Sequence, residues 1–317
     1  MKQELISYRV SQLVPYINWI YYLHAWGISP RFAGAASVHG CPACRSAWVH
    51  SFPEEQQSQA EEAMKLCCDS LALLREVEGQ VEVKAAFRLC RAGSQGDDLW
   101  LDGVRIPLLR QQSPRSGEPC LCLSDFVRPL SSTAADISNA ADDAGVVDDA
   151  GRFDVASTVG IFATSVHCTQ EELFRADPYR HLLLQTLTDR LAEAAVECTH
   201  RYVRRSAWGY APDEELPIPD LLNERFQGIR PAVGYPSLPD QSVIFLFNQL
   251  LPLHEVGITL TESGAMHPHA STCGLMFGHP ASRYFSVGKI DEEQLRDYAH
   301  RRGLPEAVMR RFLSANL

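Results

Sequence analysis

The chain has 317 residues, 45% of them in the AVILMFWYC set and 21% charged. It is too apolar to be wholly disordered and long enough to bury a core, in one large domain or two. Its 29 basic residues face 39 acidic ones, a net charge of −10, which argues against a nucleic-acid partner, because neutralising phosphates needs a basic face. The ten N-terminal residues hold no apolar signal core, and the most lipophilic run, 14–28, is too short to span a bilayer. Ten cysteines without a leader read as thiols of a reducing compartment, so a cytoplasmic protein with no membrane partner is expected.

In chain order, residues 14–26 (VPYINWIYYLHAW) predict a buried helix with Pro15 in its first turn. Apolar residues at three-four spacing predict a second helix over 53–78. Alternation predicts a strand over 81–90, a turn at Gly96-Asp97-Asp98, another short strand within 97–106 and a third over 120–126. Residues 131–154 carry Asp136, Asp142, Asp143, Asp148, Asp149 and Asp154 against Arg152, with almost no large apolar side chain, and read as a flexible acidic loop. A core strand follows at 155–166. The strongest helix is 177–207, with Leu184, Leu187, Leu191, Ala195, Cys198 and Tyr202 as its apolar stripe. A Gly-, Pro- and Tyr-rich stretch (208–239) precedes a helix at 241–251. Short strands are expected at 258–261, 271–277 and 284–290. A final helix at 291–302 opens on an Asp291/Gln294 capping box and stops at Gly303 and Pro305.

Four features carry candidate chemistry. GIRPAVGYPSLPD (228–240) is a punctuated loop holding Arg230, suited to a carboxylate, and Tyr235, a flat ring with a hydroxyl. Its plainer reading is a structural loop whose Arg230 pairs with a core carboxylate. GHPASRYFSVGKI (278–290) offers His279, ordinarily a hydrogen-bonded structural histidine, and Tyr284-Phe285. CPAC places Cys41 and Cys44 near His39 and His50, with Cys67-Cys68 downstream. Zinc, a redox thiol pair and ordinary small residues all remain open there, and a second CxxC is missing. Asp189, Glu193 and Glu197 fall at i, i+4, i+8, opposite the apolar stripe; such a row is ordinarily a solvated face, and at its sharpest a negative wall for a cationic ligand. Motifs for the common nucleotide, hydrolase and metalloprotease sites are absent from the sequence.

Together LVPYINWIYYLHAW, LSDFV, TDRLAEAAVECTHRYVRRSAWGYAPDEEL, NERFQGIRPAVGYPSLPD and GITLTESGAMHPHASTCGLMFGHPASRYFSVGKI resemble, in order, the activation domain of cobalamin-dependent methionine synthase. The RPAxGYP, LTESxAM and HPxSxYF elements make the resemblance specific, and it spans nearly the whole chain. It implies one α+β domain, C-shaped, with a central twisted antiparallel sheet flanked by helices. It also implies a free-standing subunit that binds S-adenosylmethionine and presents its methyl group to cobalamin carried by a partner protein. An electron from a flavodoxin-type donor and that methyl group would return oxidised cobalamin to its methylated form, and the chain itself would supply no catalytic acid or base.

By the same resemblance Arg230 would hold the methionyl carboxylate, Ala232 and Gly234 would offer main-chain contacts, and Tyr235, Tyr284 and Phe285 would line the ligand. Glu193 and Glu224 fall at acidic positions near it. Asn18 stands where the family carries an aspartate facing the ligand's ammonium. Asparagine keeps an acceptor but loses the charge, so about tenfold weaker binding is expected. Two alternatives stay open: a non-catalytic interaction subunit, or a reactivator of a different corrinoid methyltransferase.

Overall fold

The computed structural model describes residues 2–114, 117–130, 153–168, 174 and 176–317. The acidic stretch 131–152 lies outside the described residues. Eight strands are described: β1 Gln3–Tyr8, β2 Val81–Gln95, β3 Asp98–Leu101, β4 Val104–Pro107, β5 Thr158–Cys168, β6 Thr259–Leu260, β7 Met266–His267 and β8 Ser271–Met276. The α-helices are α1 Val10–Leu13, α2 Trp19–Ala25, α3 Pro42–His50, α4 Glu54–Glu76, α5 Pro178–Tyr202, α6 Ile218–Leu222, α7 Ile244–Leu250, α8 Glu292–Arg302 and α9 Glu306–Phe312.

The main sheet is antiparallel and runs β4-β3-β2-β5-β8, with β1 paired to β2. β2 is its spine: residues 81–91 pair with β5, 83–88 with β1, and 92–95 with β3. β5 (TVGIFATSVHC) is buried over its first nine residues. A strand covered on both faces reads as a continuous small and β-branched run, which is why it was legible in the sequence. One side packs Val83 and Val166 against Leu187, Leu191 and Ala195 of α5. The other packs Leu99, Ile161 and Leu275 against Phe247 and Ile258. Each fully buried large aliphatic side chain contributes about 1.5–3 kcal/mol. This is an α+β fold with its sheet between two cores. No described helix is long and apolar enough to cross a membrane.

Three expectations are corrected. The helix over 14–26 is split: Val14–Tyr16 is a 3-10 turn, and α2 starts afresh at Trp19 because the Asn18 side chain accepts hydrogen bonds from the Ile20 and Tyr21 N–H groups. Residues 120–126 are not a strand. Leu123–Phe126 is a 3-10 turn, closed where Asp125 accepts the Cys122 N–H at 2.8 Å and Arg110 grips the same carboxylate. Residues 284–290 join no ladder. They are tied to the 228–240 loop instead, Val287 donating its N–H to the Pro236 carbonyl at 2.9 Å. β1 is a strand that periodicity did not predict. Its burial alternates between exposed and half-exposed, so it leaves little apolar signal.

Candidate functional site

The 228–240 loop lies along β8 as a partial extra strand. Ile229 and Phe277 exchange backbone hydrogen bonds at 2.9 Å, Val233 donates to Cys273 at 2.9 Å, and Leu275 donates to Pro231 at 3.0 Å. Gly274 permits this approach, since a Cβ there would stand 2.3 Å from the Pro231 carbonyl oxygen. A second lacing joins the loop to residues 284–287. Ser237, nearly buried, donates its hydroxyl to the Phe285 carbonyl and accepts the Phe285 N–H at 3.2 Å.

Between this laced pair of loops, the middle of α5 and the start of α2 is a cleft of about 840 Å³. It reaches the upper range typical of small-molecule sites. Asn18, Glu193, Glu224, Arg230, Ala232, Tyr235, Tyr284 and Phe285 all line it. Gly234 does not. It turns at φ +84° and its N–H is spent on the Leu238 carbonyl at 2.9 Å. Tyr16, Tyr21, Arg190 and Phe162 also line the cleft and were not singled out in the sequence. Tyr16, Tyr21 and Phe162 sit in apolar runs that periodicity files as packing, and Arg190 reads as an ordinary charged residue of α5.

The acidic row is a solvated face only at its Asp189 end. Glu197 is 6% exposed, and Glu193 also faces the cleft. Asp189 lies outside it, 3.6 Å from His269. Arg230 Nη2 donates to Glu197 Oε1, so the plainer reading of Arg230, a partner for a core carboxylate, holds in part. Arg230 Nη1 and Glu197 Oε2 are nevertheless buried without a partner, in the wall of the cleft. Orphaned polar atoms of this kind cost free energy unless something meets them.

Burial pushes the Glu197 carboxyl above the usual range, with the Arg230 and Arg204 charges acting against it. The Tyr235 hydroxyl donates to Glu193 at 3.1 Å and is pushed up to about 12, by the Glu193 charge first and then by burial. Tyr284 accepts the Arg230 N–H at 3.0 Å, and burial raises its hydroxyl too. Both phenols are therefore neutral at ordinary pH and act as hydrogen-bonding walls, not bases. Asn18 Oδ1 is already shared by Ile20 N–H at 3.1 Å and Tyr21 N–H at 3.4 Å. The acceptor expected to face a ligand is thus largely committed to capping α2.

Such a cleft combines a cationic corner, a carboxylate pair and aromatic walls, the means to hold a zwitterion with a flat ring. Over residues 9–303 the sequence matches the family described as vitamin B12 dependent methionine synthase, activation domain. The chain belongs to that family. A crystal structure of the MetH reactivation domain bound to AdoHcy is similar to it at 30% identity and a TM-score of 0.79, covering 100% of this chain and 90% of that one. The activation-domain fold expected from the sequence is therefore the fold found.

The remaining sequence candidates fall elsewhere. His279 accepts the Ala281 N–H at 3.2 Å and closes a local turn. Cys67 is buried on α4, and His50 donates to the Ser46 carbonyl at 2.7 Å within α3. Neither joins the CPAC thiols. There, hydrogen bonds from Cys44 first and His39 second lower the Cys41 thiol to about 7.

Proposed function

We propose that this activation-domain chain binds S-adenosylmethionine in the cleft and serves the reductive methylation of cobalamin carried by a cobalamin-dependent methionine synthase partner. The observation that carries the reading is the unpartnered, buried Nη1 of Arg230, opposite aromatic walls and beside two carboxylates. Arg230 would receive the ligand's carboxylate through Nη1 while Glu197 holds Nη2. Glu193 and Glu197 would favour the sulfonium charge. Tyr235, Tyr284 and Phe162 would bracket the adenine. Glu224, exposed at the lip with φ 56°, would add a further negative charge. Ala232 would offer main-chain contact. The ligand supplies an activated methyl group, and the domain's share is orientation, a contribution of many orders in effective concentration without any acid or base. We further propose that residues 1–317 form one such domain, working in the cytoplasm with a flavodoxin-type electron donor.

Calorimetric titration with S-adenosylmethionine, wild type beside Arg230→Met, tests this reading. Saturable wild-type binding that Arg230→Met loses supports it, and no wild-type binding overturns it. Capture of a cobalamin-binding protein without S-adenosylmethionine binding would make the chain an interaction subunit, the reading that the committed oxygen of Asn18 favours.

A further inference from the structure

The segment His39-Gly40-Cys41-Pro42-Ala43-Cys44 takes no part in the cleft. It precedes and opens α3, with Cys41 at the N-cap and Pro42 in the first turn. Its folding brings one ring nitrogen and two sulfurs together: the donor atoms of His39, Cys41 and Cys44 all lie within 4.8 Å of one another. Two further contacts arrange them. The Cys44 N–H donates to Cys41 Sγ at 3.2 Å, a bond that strengthens when the sulfur becomes a thiolate. The Cys41 N–H donates to His39 Nδ1 at 3.3 Å, a long contact that folds the His39 ring back over the segment and beside the thiols.

We propose that His39, Cys41 and Cys44 form a three-ligand site for a thiophilic divalent cation, Zn²⁺, with its fourth coordination position open. Two sulfurs and one imidazole nitrogen suit a borderline-soft ion that accepts tetrahedral geometry. Separations within 4.8 Å need only small side-chain rotations to close on one ion. His39 and Cys44 are exposed and Cys41 is half-exposed, so the ion would face solvent and not the core. Cys67 and Cys68, the remote pair that a closed four-sulfur site would need, are absent from the cluster. An open position distinguishes a site that exchanges a ligand from one that only staples a fold.

The test uses the full chain, reduced and metal-free, titrated anaerobically with Co²⁺ alone and then with Zn²⁺ alone. One Co²⁺ per chain is expected, with a thiolate-to-cobalt charge-transfer absorption that Zn²⁺ abolishes by displacement. Cys41→Ser keeps a cap oxygen for the Cys44 N–H, so α3 should persist while the sulfur is lost. In Cys41→Ser/Cys44→Ser the charge-transfer band should vanish. In His39→Ala the affinity should fall at least tenfold, and in Cys120→Ser, which changes a cysteine outside the cluster, nothing should change. A charge-transfer band of wild-type strength in the double variant would overturn the assignment, as would failure of the reduced wild type to take up either ion. Unchanged affinity in His39→Ala would overturn the third ligand. S-adenosylmethionine titration of the double variant should match wild type, so failure at this site is separable from failure at the cleft.

Discussion

Arg204 and Arg230 both approach the ring of Phe226, their guanidinium carbons 3.8 and 5.7 Å from its centre. Their surroundings differ. Arg204 is fully buried in the π turn Val203–Ala207 that widens the end of α5. It donates through Nε and Nη2 to Glu214 at 2.8 and 2.7 Å and through Nη1 to His200 at 2.8 Å. Arg230 has one carboxylate partner and one idle nitrogen. A saturated arginine is spent on the frame, and an unsaturated one on the same ring keeps an unpaired nitrogen in the cleft wall.

The largest effect expected breaks the saturated member. Arg204→Met leaves Glu214 buried and unpaired, at a cost of about 3–5 kcal/mol in chemical denaturation. Arg230→Met should act on recognition: loss of a charge-assisted contact of about 2–3 kcal/mol weakens S-adenosylmethionine binding by roughly 30- to 150-fold in calorimetry. Its effect on unfolding should be smaller than that of Arg204→Met, because the Arg230 side chain is 12% exposed and Glu197 can take up a proton. A reversal of those two orders would dissolve the contrast.

Asn18→Asp sharpens it. An aspartate caps α2 as well as asparagine does and adds an oxygen with full charge, so affinity should rise about tenfold with little change in helix content. The smallest effect is the pH signature of Glu197. Burial holds its folded carboxyl above the ordinary value of 4.5, so folding takes up a proton in the window from 4.5 upward. Its contribution is fully present below 4.5 and is lost as pH rises through the raised value. The stability of Glu197→Gln, which cannot ionise there, should therefore gain on wild type across that window. A constant difference would mean that burial does not raise the Glu197 carboxyl.

Much of the frame was legible because it follows a period. The helices α4 and α5, the spine β2 and the buried strand β5 each carry a run long enough to read. The break at Asn18 was not, since an aromatic-rich run hides a cap unless one asks which residue can supply an oxygen to two N–H groups. The candidate site residues came from resemblance, and eight of the nine it named line one cleft. The burial of Glu197 could not be read from α5 alone. A carboxylate at i+8 looks solvated until the segment that covers it is known, and that cover, Arg230, lies 33 residues away.

Gly274 has a consequence for how this protein can vary. At that point the sheet supports the 228–240 loop with no side chain between them, and the nearest backbone atom leaves no room for even a methyl group. An added methyl at position 274 would lift the loop from its bed while leaving the β5–β8 pairing in place, so a folded protein is expected in which Arg230 and Tyr235 no longer wall the cleft.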